Sequence, residues 1–132
     1  MTGMVGRMVR AAIVACVGLT LLAGSAEASG GDARREGSCT GHSDWRLAVD
    51  RRDGNPLRVR FRVEHTPSGK VWEVFLSDNG TRFFAATRTS SSNGEIRVRK
   101  NTKDRQGTDR VKAYAVSRAT GEVCTGSVRF DH

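Results

Sequence analysis

Cysteine is scarce in this chain, with Cys16, Cys39 and Cys124 the only three in 132 residues. No further cysteine or histidine stands at zinc-ligand spacing, which excludes a zinc ribbon or finger. No Gly-x-Ser-x-Gly, His-Glu-x-x-His or phosphate-loop motif occurs, so the familiar nucleophile, metalloprotease and nucleotide chemistries have no anchor. The histidines His42, His65 and His132 sit in no such motif, and His42 and His65 read as solvated loop or strand-end residues. Asp78 and Asn79 alone supply too few oxygen ligands for calcium. The sequence is therefore read as non-enzymatic, with no metal and no cofactor. There is also no internal repeat, no long helical period, and no apolar run of bilayer length. The longest uncharged apolar run, Ala11 to Ala23, falls short of the roughly 20 residues that cross a membrane as a helix.

That run has the features of a secretory signal. Arg7 and Arg10 precede it, and Ala26-Glu27-Ala28 places small residues where a signal peptidase reads them. The expected organisation is a signal peptide over 1–28, a disordered Gly-, Ser- and charge-rich lead-in over 29–38, and one domain over 39–132. No transmembrane helix is expected to be retained. Cys16 leaves with the leader, so Cys39 and Cys124 remain as one even pair in an oxidising compartment. A Cys39–Cys124 disulfide and an extracellular location follow as expectations. The formal charge is +8, and the chain stays strongly basic after losing Arg7, Arg10 and Glu27, which favours anionic partners.

Beyond the lead-in the apolar period is two. Trp45, Leu47 and Val49 alternate with polar neighbours. Leu57, Val59, Phe61 and Val63 alternate with Arg58, Arg60, Arg62 and Glu64. Trp72, Val74 and Leu76 follow, and Asp78-Asn79-Gly80 marks a tight hairpin, since Asn-Gly tolerates positive φ. Asn79-Gly80-Thr81 also fits the glycosylation sequon, a match read as incidental. Ile96 and Val98, then Val111, Ala113 and Ala115, then Cys124, Val128 and Phe130 complete the inward set. Seven short strands at regular spacing predict an all-β, immunoglobulin-like sandwich. The usual second-to-sixth strand cysteine pair is missing. The predicted order is therefore closer to fibronectin type III, with the first, second and fifth strands in one sheet and the third, fourth, sixth and seventh in the other. The first and last strands would run side by side in the same direction, bringing Cys39 to Cys124, and Trp72 would fill the core.

Cys39-Thr40-Gly41 ahead of Trp45-Arg46-Leu47, Asp78-Asn79-Gly80-Thr81, and Thr120-Gly121-Glu122 with Cys124 and Gly126 resemble the small secreted proteins common in actinobacteria. The resemblance implies a location and a fold. Its motifs are turns and a disulfide, so it implies no chemistry. The arginine-rich, lysine-poor composition fits a GC-rich genome.

Two surfaces stand out. Arg58, Arg60 and Arg62 on the second predicted strand point away from the core, as do Arg97 and Arg99 on the fifth. Neighbouring strands would crowd these five guanidinium groups on one face with Arg46 beside them, and Glu64, Glu95 and Asp50 would relieve only the ends. Arginine's planar fork suits phosphate or carboxylate, so the face reads either as a site for an anionic polymer or surface or as a solvated face whose charge serves solubility. It has no interleaved aromatics, which argues against sequence-specific nucleic-acid recognition. On the other sheet Phe75, Tyr114 and Val116 face outward with Val71, joined by Phe83 or Phe84, as a candidate contact for a protein partner or homodimer. A second reading makes the protein an inhibitor of a secreted hydrolase, presenting a long basic loop over 99–110.

Overall fold

The computed structural model describes residues 28–29, 32–52 and 56–131. The signal-peptide reading falls on residues 1–28 and so lies almost wholly outside them. Nine strands occur among the described residues: β1 (Ala28–Ser29), β2 (Asp32–Ser38), β3 (Asp44–Arg51), β4 (Pro56–Glu64), β5 (Val71–Asp78), β6 (Thr81–Thr89), β7 (Ile96–Lys103), β8 (Asp109–Ser117) and β9 (Val123–Asp131). One sheet has the order β2-β3-β4-β7 and the other β1-β9-β8-β5-β6. Every pairing is antiparallel except the two-residue contact of β1 with β9. The described residues are all-β, and the two sheets pack as a sandwich.

Alternation decides the layers, because a strand turns successive side chains to opposite faces. Leu47, Val49, Leu57, Val59, Phe61 and Val63 of one sheet are buried against Trp72, Val74, Leu76, Val111, Val128 and Phe130 of the other. Trp72 is the largest fully buried side chain. Strands β3 to β9 cover the alternating segments of the sequence, with β3, β4 and β7 in one sheet and β5, β6, β8 and β9 in the other.

The chain order also brings β3 and β9 together across the sheet interface. Ser43 Oγ meets Glu122 just before the two strands, the Trp45 indole lies on Gly126, and the Arg51 guanidinium stands 5.6 Å over the Phe130 ring. The contacts advance along both strands in the same direction. Cys39, just after β2, then reaches Cys124 on β9, with a Cα–Cα distance of 4.3 Å and a disulfide across 85 residues.

Three local expectations change. Of the expected disordered lead-in over 29–38, residues 32–38 are instead a strand, since Asp32–Ser38 pairs with β3 along its whole length. Its apolar signal is almost nil because only Ala33 turns into the core, and the strand is held instead by ladder hydrogen bonds and by Gly37 lying against Trp45. Neither Phe83 nor Phe84 joins the outward patch. A register shift at Leu76/Ser77 makes one residue of β6 supernumerary, and both rings pack on the core. The 99–110 segment is not a long presented loop. Arg99 to Lys103 continue the ladder with β4, leaving only 104–108 between strands.

The β5–β6 hairpin forms as its sequence demands. Asn79 and Gly80 adopt φ of 50° and 86°, and Asp78 pairs with Thr81. Two successive positive φ values are the signature of a type I′ turn, which glycine takes without steric cost.

Candidate anion-binding face

The outer face of the β2-β3-β4-β7 sheet is set by its register. One row across the four strands reads Glu36, Arg46, Arg62, Arg97. The next reads Arg34, Ala48, Arg60, Arg99, and the third reads Asp32, Asp50, Arg58, Asn101. Neighbouring strands lie about 4.8 Å apart and alternate residues about 6.7 Å apart. All five arginines singled out in the sequence therefore share this face. Arg60, Arg97 and Arg99 are exposed, while Arg58 and Arg62 are half-buried.

The middle row defines the site. Ala48 is a single methyl group between Arg34 and Arg60, with Arg46 two residues before it. Longer side chains on every side leave an open depression of about 840 Å³, lined by Arg34, Arg46, Arg60, Arg62, Arg97 and Arg99 together with Glu36. Period-two reasoning places most of these guanidinium groups but misses the hollow. Arg34 comes from a strand that the apolar pattern does not reveal. The only signal for the floor is one alanine among arginines.

Carboxylates gather at the two ends of the face. Arg62 bonds Glu64 at 2.8 Å, Arg97 meets Glu95 at 2.9 Å, and Arg46 meets Glu36 at 3.2 Å. At the opposite end Arg34 pairs with Asp32 at 3.2 Å and Arg60 with Asp50 at 3.4 Å. The hydrogen bond from Arg62 pulls Glu64 below its ordinary carboxylate value and raises Arg62 in return. Among the described residues no carboxylate comes within 4 Å of Arg58 or Arg99. Each guanidinium has five N–H donors, so those engaged at the rim keep donors for a ligand. The result is a positive hollow between two acidic rims.

A second, smaller hollow of about 540 Å³ lies beside the disulfide and includes His42, Ser43, His65 and Glu122. Glu122 accepts hydrogen bonds from the amides of Gly41 and Ser43 and from Ser43 Oγ. His65 Nδ1 lies 2.9 Å from Asp44 Oδ2. Ser43 thus donates to a carboxylate rather than to a histidine, and Glu122 is committed to tying this segment to the loop before β9. Among the described residues no three His, Cys, Asp or Glu side chains are grouped to hold a metal ion.

On the opposite sheet Tyr114 is exposed, and Phe75 and Val116 are half-buried. All three face outward from β5 and β8. Asp104, in the segment once expected to be a presented loop, has a side chain only 6% exposed that accepts a 2.9 Å hydrogen bond from Arg51. A scan against protein-family models, a search of curated proteins and a search of solved structures each return no match.

Proposed function

We propose that this is an exported, non-enzymatic binding module of fibronectin type III-like design that holds anionic groups of a cell-wall or surface polymer in the arginine-lined hollow. The observation that carries the reading is the hollow itself, where the short side chain of Ala48 stands between Arg34 and Arg60 and four further arginines line the same depression. Cations crowded on adjacent strands repel one another by fractions of a kcal/mol per pair. A bound phosphate or carboxylate converts that repulsion into bidentate, charge-assisted hydrogen bonds. The acidic rims restrict which anions fit. Glu36 and Asp32 stand exposed at opposite ends of the face, with the arginine-lined floor between them. Guanidinium groups are neither nucleophiles nor bases at physiological pH, so the face suits retention rather than turnover. The disulfide supports residence in an oxidising compartment.

Retention of the protein on purified cell wall and on anionic vesicles, followed across a salt series, tests this. Binding should weaken steeply with salt and should disappear when Arg60 and Arg99 are both changed to Gln. Salt-independent binding, or binding that survives those substitutions, overturns the mechanism.

A further inference from the structure

The outer face of the second sheet carries a different chemistry. At one register level its four long strands present Ala85, Phe75, Tyr114 and Thr125, and at the next Arg82, Ser77, Lys112 and Ser127. Arg110 stands opposite Arg129 one level further. Two aromatic rings thus occupy directly paired positions on the adjacent strands β5 and β8. Their centroids are 6.1 Å apart and their planes tilted by 40°. Tyr114 is the only exposed large hydrophobic side chain among the described residues. The Arg82 guanidinium lies 4.5 Å over the Phe75 ring, adding a third planar group.

Charge on this face is one-sided. Beyond the rings toward Val71, Glu73 is neutralised by Arg118 at 2.9 Å. On the other side stand Arg82, Lys112 and Arg110, and among the described residues no carboxylate lies within 4 Å of any of them. Arg129 has one partner, Asp131, at 3.4 Å. The apolar patch itself is small, because Phe83 and Phe84 turn to the core. Tyr114 is its one exposed large side chain among the described residues, and the centre of a protein interface is moreover depleted in lysine. Two rings with a flanking row of unpaired cations instead match a chain whose flat apolar groups alternate with anions.

We propose that this face binds single-stranded nucleic acid, with bases stacked on Tyr114 and on the outer face of the Arg82 guanidinium that covers Phe75, and phosphates set over Lys112, Arg110 and Arg129. A single strand is required because a duplex hides the faces of its bases. Stacking accepts any base, so the site is indifferent to sequence. It is separate from the arginine hollow, which lies on the other sheet, where the outward-facing rows of β2, β3, β4 and β7 carry no aromatic side chain.

The test is fluorescence anisotropy with the full chain and two labelled dodecamers of equal charge, one of thymidines and one abasic. The thymidine oligomer should bind about tenfold more tightly, as loss of stacking predicts. Tyr114→Ala should remove most of that difference, and Tyr114→Phe should keep it. Lys112→Gln with Arg110→Gln should weaken both oligomers alike and flatten the salt dependence. Arg60→Gln with Arg99→Gln, which disables the hollow, should leave the difference intact. Tyr114 is exposed, so its variants fold, and near-ultraviolet circular dichroism of the buried Trp45 and Trp72 verifies this. Equal affinity for the two oligomers, or a difference that survives Tyr114→Ala, overturns the proposal.

Discussion

The indole of Trp45 lies on the bare backbone of Gly126, so close that a Cβ there would sit 2.4 Å from the ring. The contact joins the sheets two residues beyond the disulfide sulfur of Cys124. Gly37 flanks the same indole, with a hypothetical Cβ 2.9 Å away. Gly126→Ala must therefore push the ring out of its slot or part the strands. The expected loss is about 1–3 kcal/mol from overpacking, read as a lower urea midpoint. Trp45→Phe in the same chain should recover part of it, whereas a loss unchanged by Trp45→Phe would locate the strain elsewhere.

Reduction gives a second expectation. The Cys39–Cys124 bond closes 85 residues, and on the chain-entropy view such a loop contributes roughly 4–5 kcal/mol. Cys39→Ala with Cys124→Ala should lower stability by an amount of that order, measured against the oxidised chain in urea. A loss under about 1 kcal/mol would mean that ordering of β2 and β3 does not depend on the cross-link.

Ala48→Glu should separate binding from folding. The new carboxylate would stand between Arg34 and Arg60 and occupy the hollow. Stability should rise by a few tenths of a kcal/mol through relief of repulsion, while retention on anionic polymer should fall at least tenfold. A variant that binds as before would show that the ligand does not use the floor.

The pH dependence rests on a buried acid pair. Burial, followed by the neighbouring Asp78, pushes Asp109 up to about 7 from an ordinary 3.8, and burial raises Asp78 as well. The folded chain thus binds protons that the unfolded chain has already released. The contribution of the pair is fully present below about pH 4 and is lost as pH rises toward 7. Glu64, held low by Arg62, acts in the opposite sense and loses its contribution as pH falls below its ordinary 4.5. Urea midpoints should therefore decline from about pH 5 to pH 7. Asp109→Asn should flatten that decline, and an undiminished slope would assign it to other groups.

The sandwich was legible because Leu57, Val59, Phe61 and Val63 alternate cleanly with charged residues, and a period of two has one inward solution. β2 was hidden because a strand needs ladder partners, not apolar side chains, and Asp32–Ser38 borrows its cover from Trp45. The two phenylalanines of β6 misled because a bulge cancels the alternation locally, and nothing in Thr81–Thr89 announces a bulge. The arginines could be assigned to a face by parity alone. The hollow among them required knowing that Ala48 stands between Arg34 and Arg60, a relation of register between segments that parity along one strand does not carry.

Two sheets back to back leave their outward surfaces looking in opposite directions, roughly 10 Å of packed core apart. A small group held in the proposed arginine hollow would lie on the opposite side of the core from the Phe75–Tyr114 pair. If both proposed sites act, the molecule is divalent. Mixed with two polymers it would bridge them, and clouding of such a mixture would peak at a fixed protein-to-polymer ratio and clear again in excess protein.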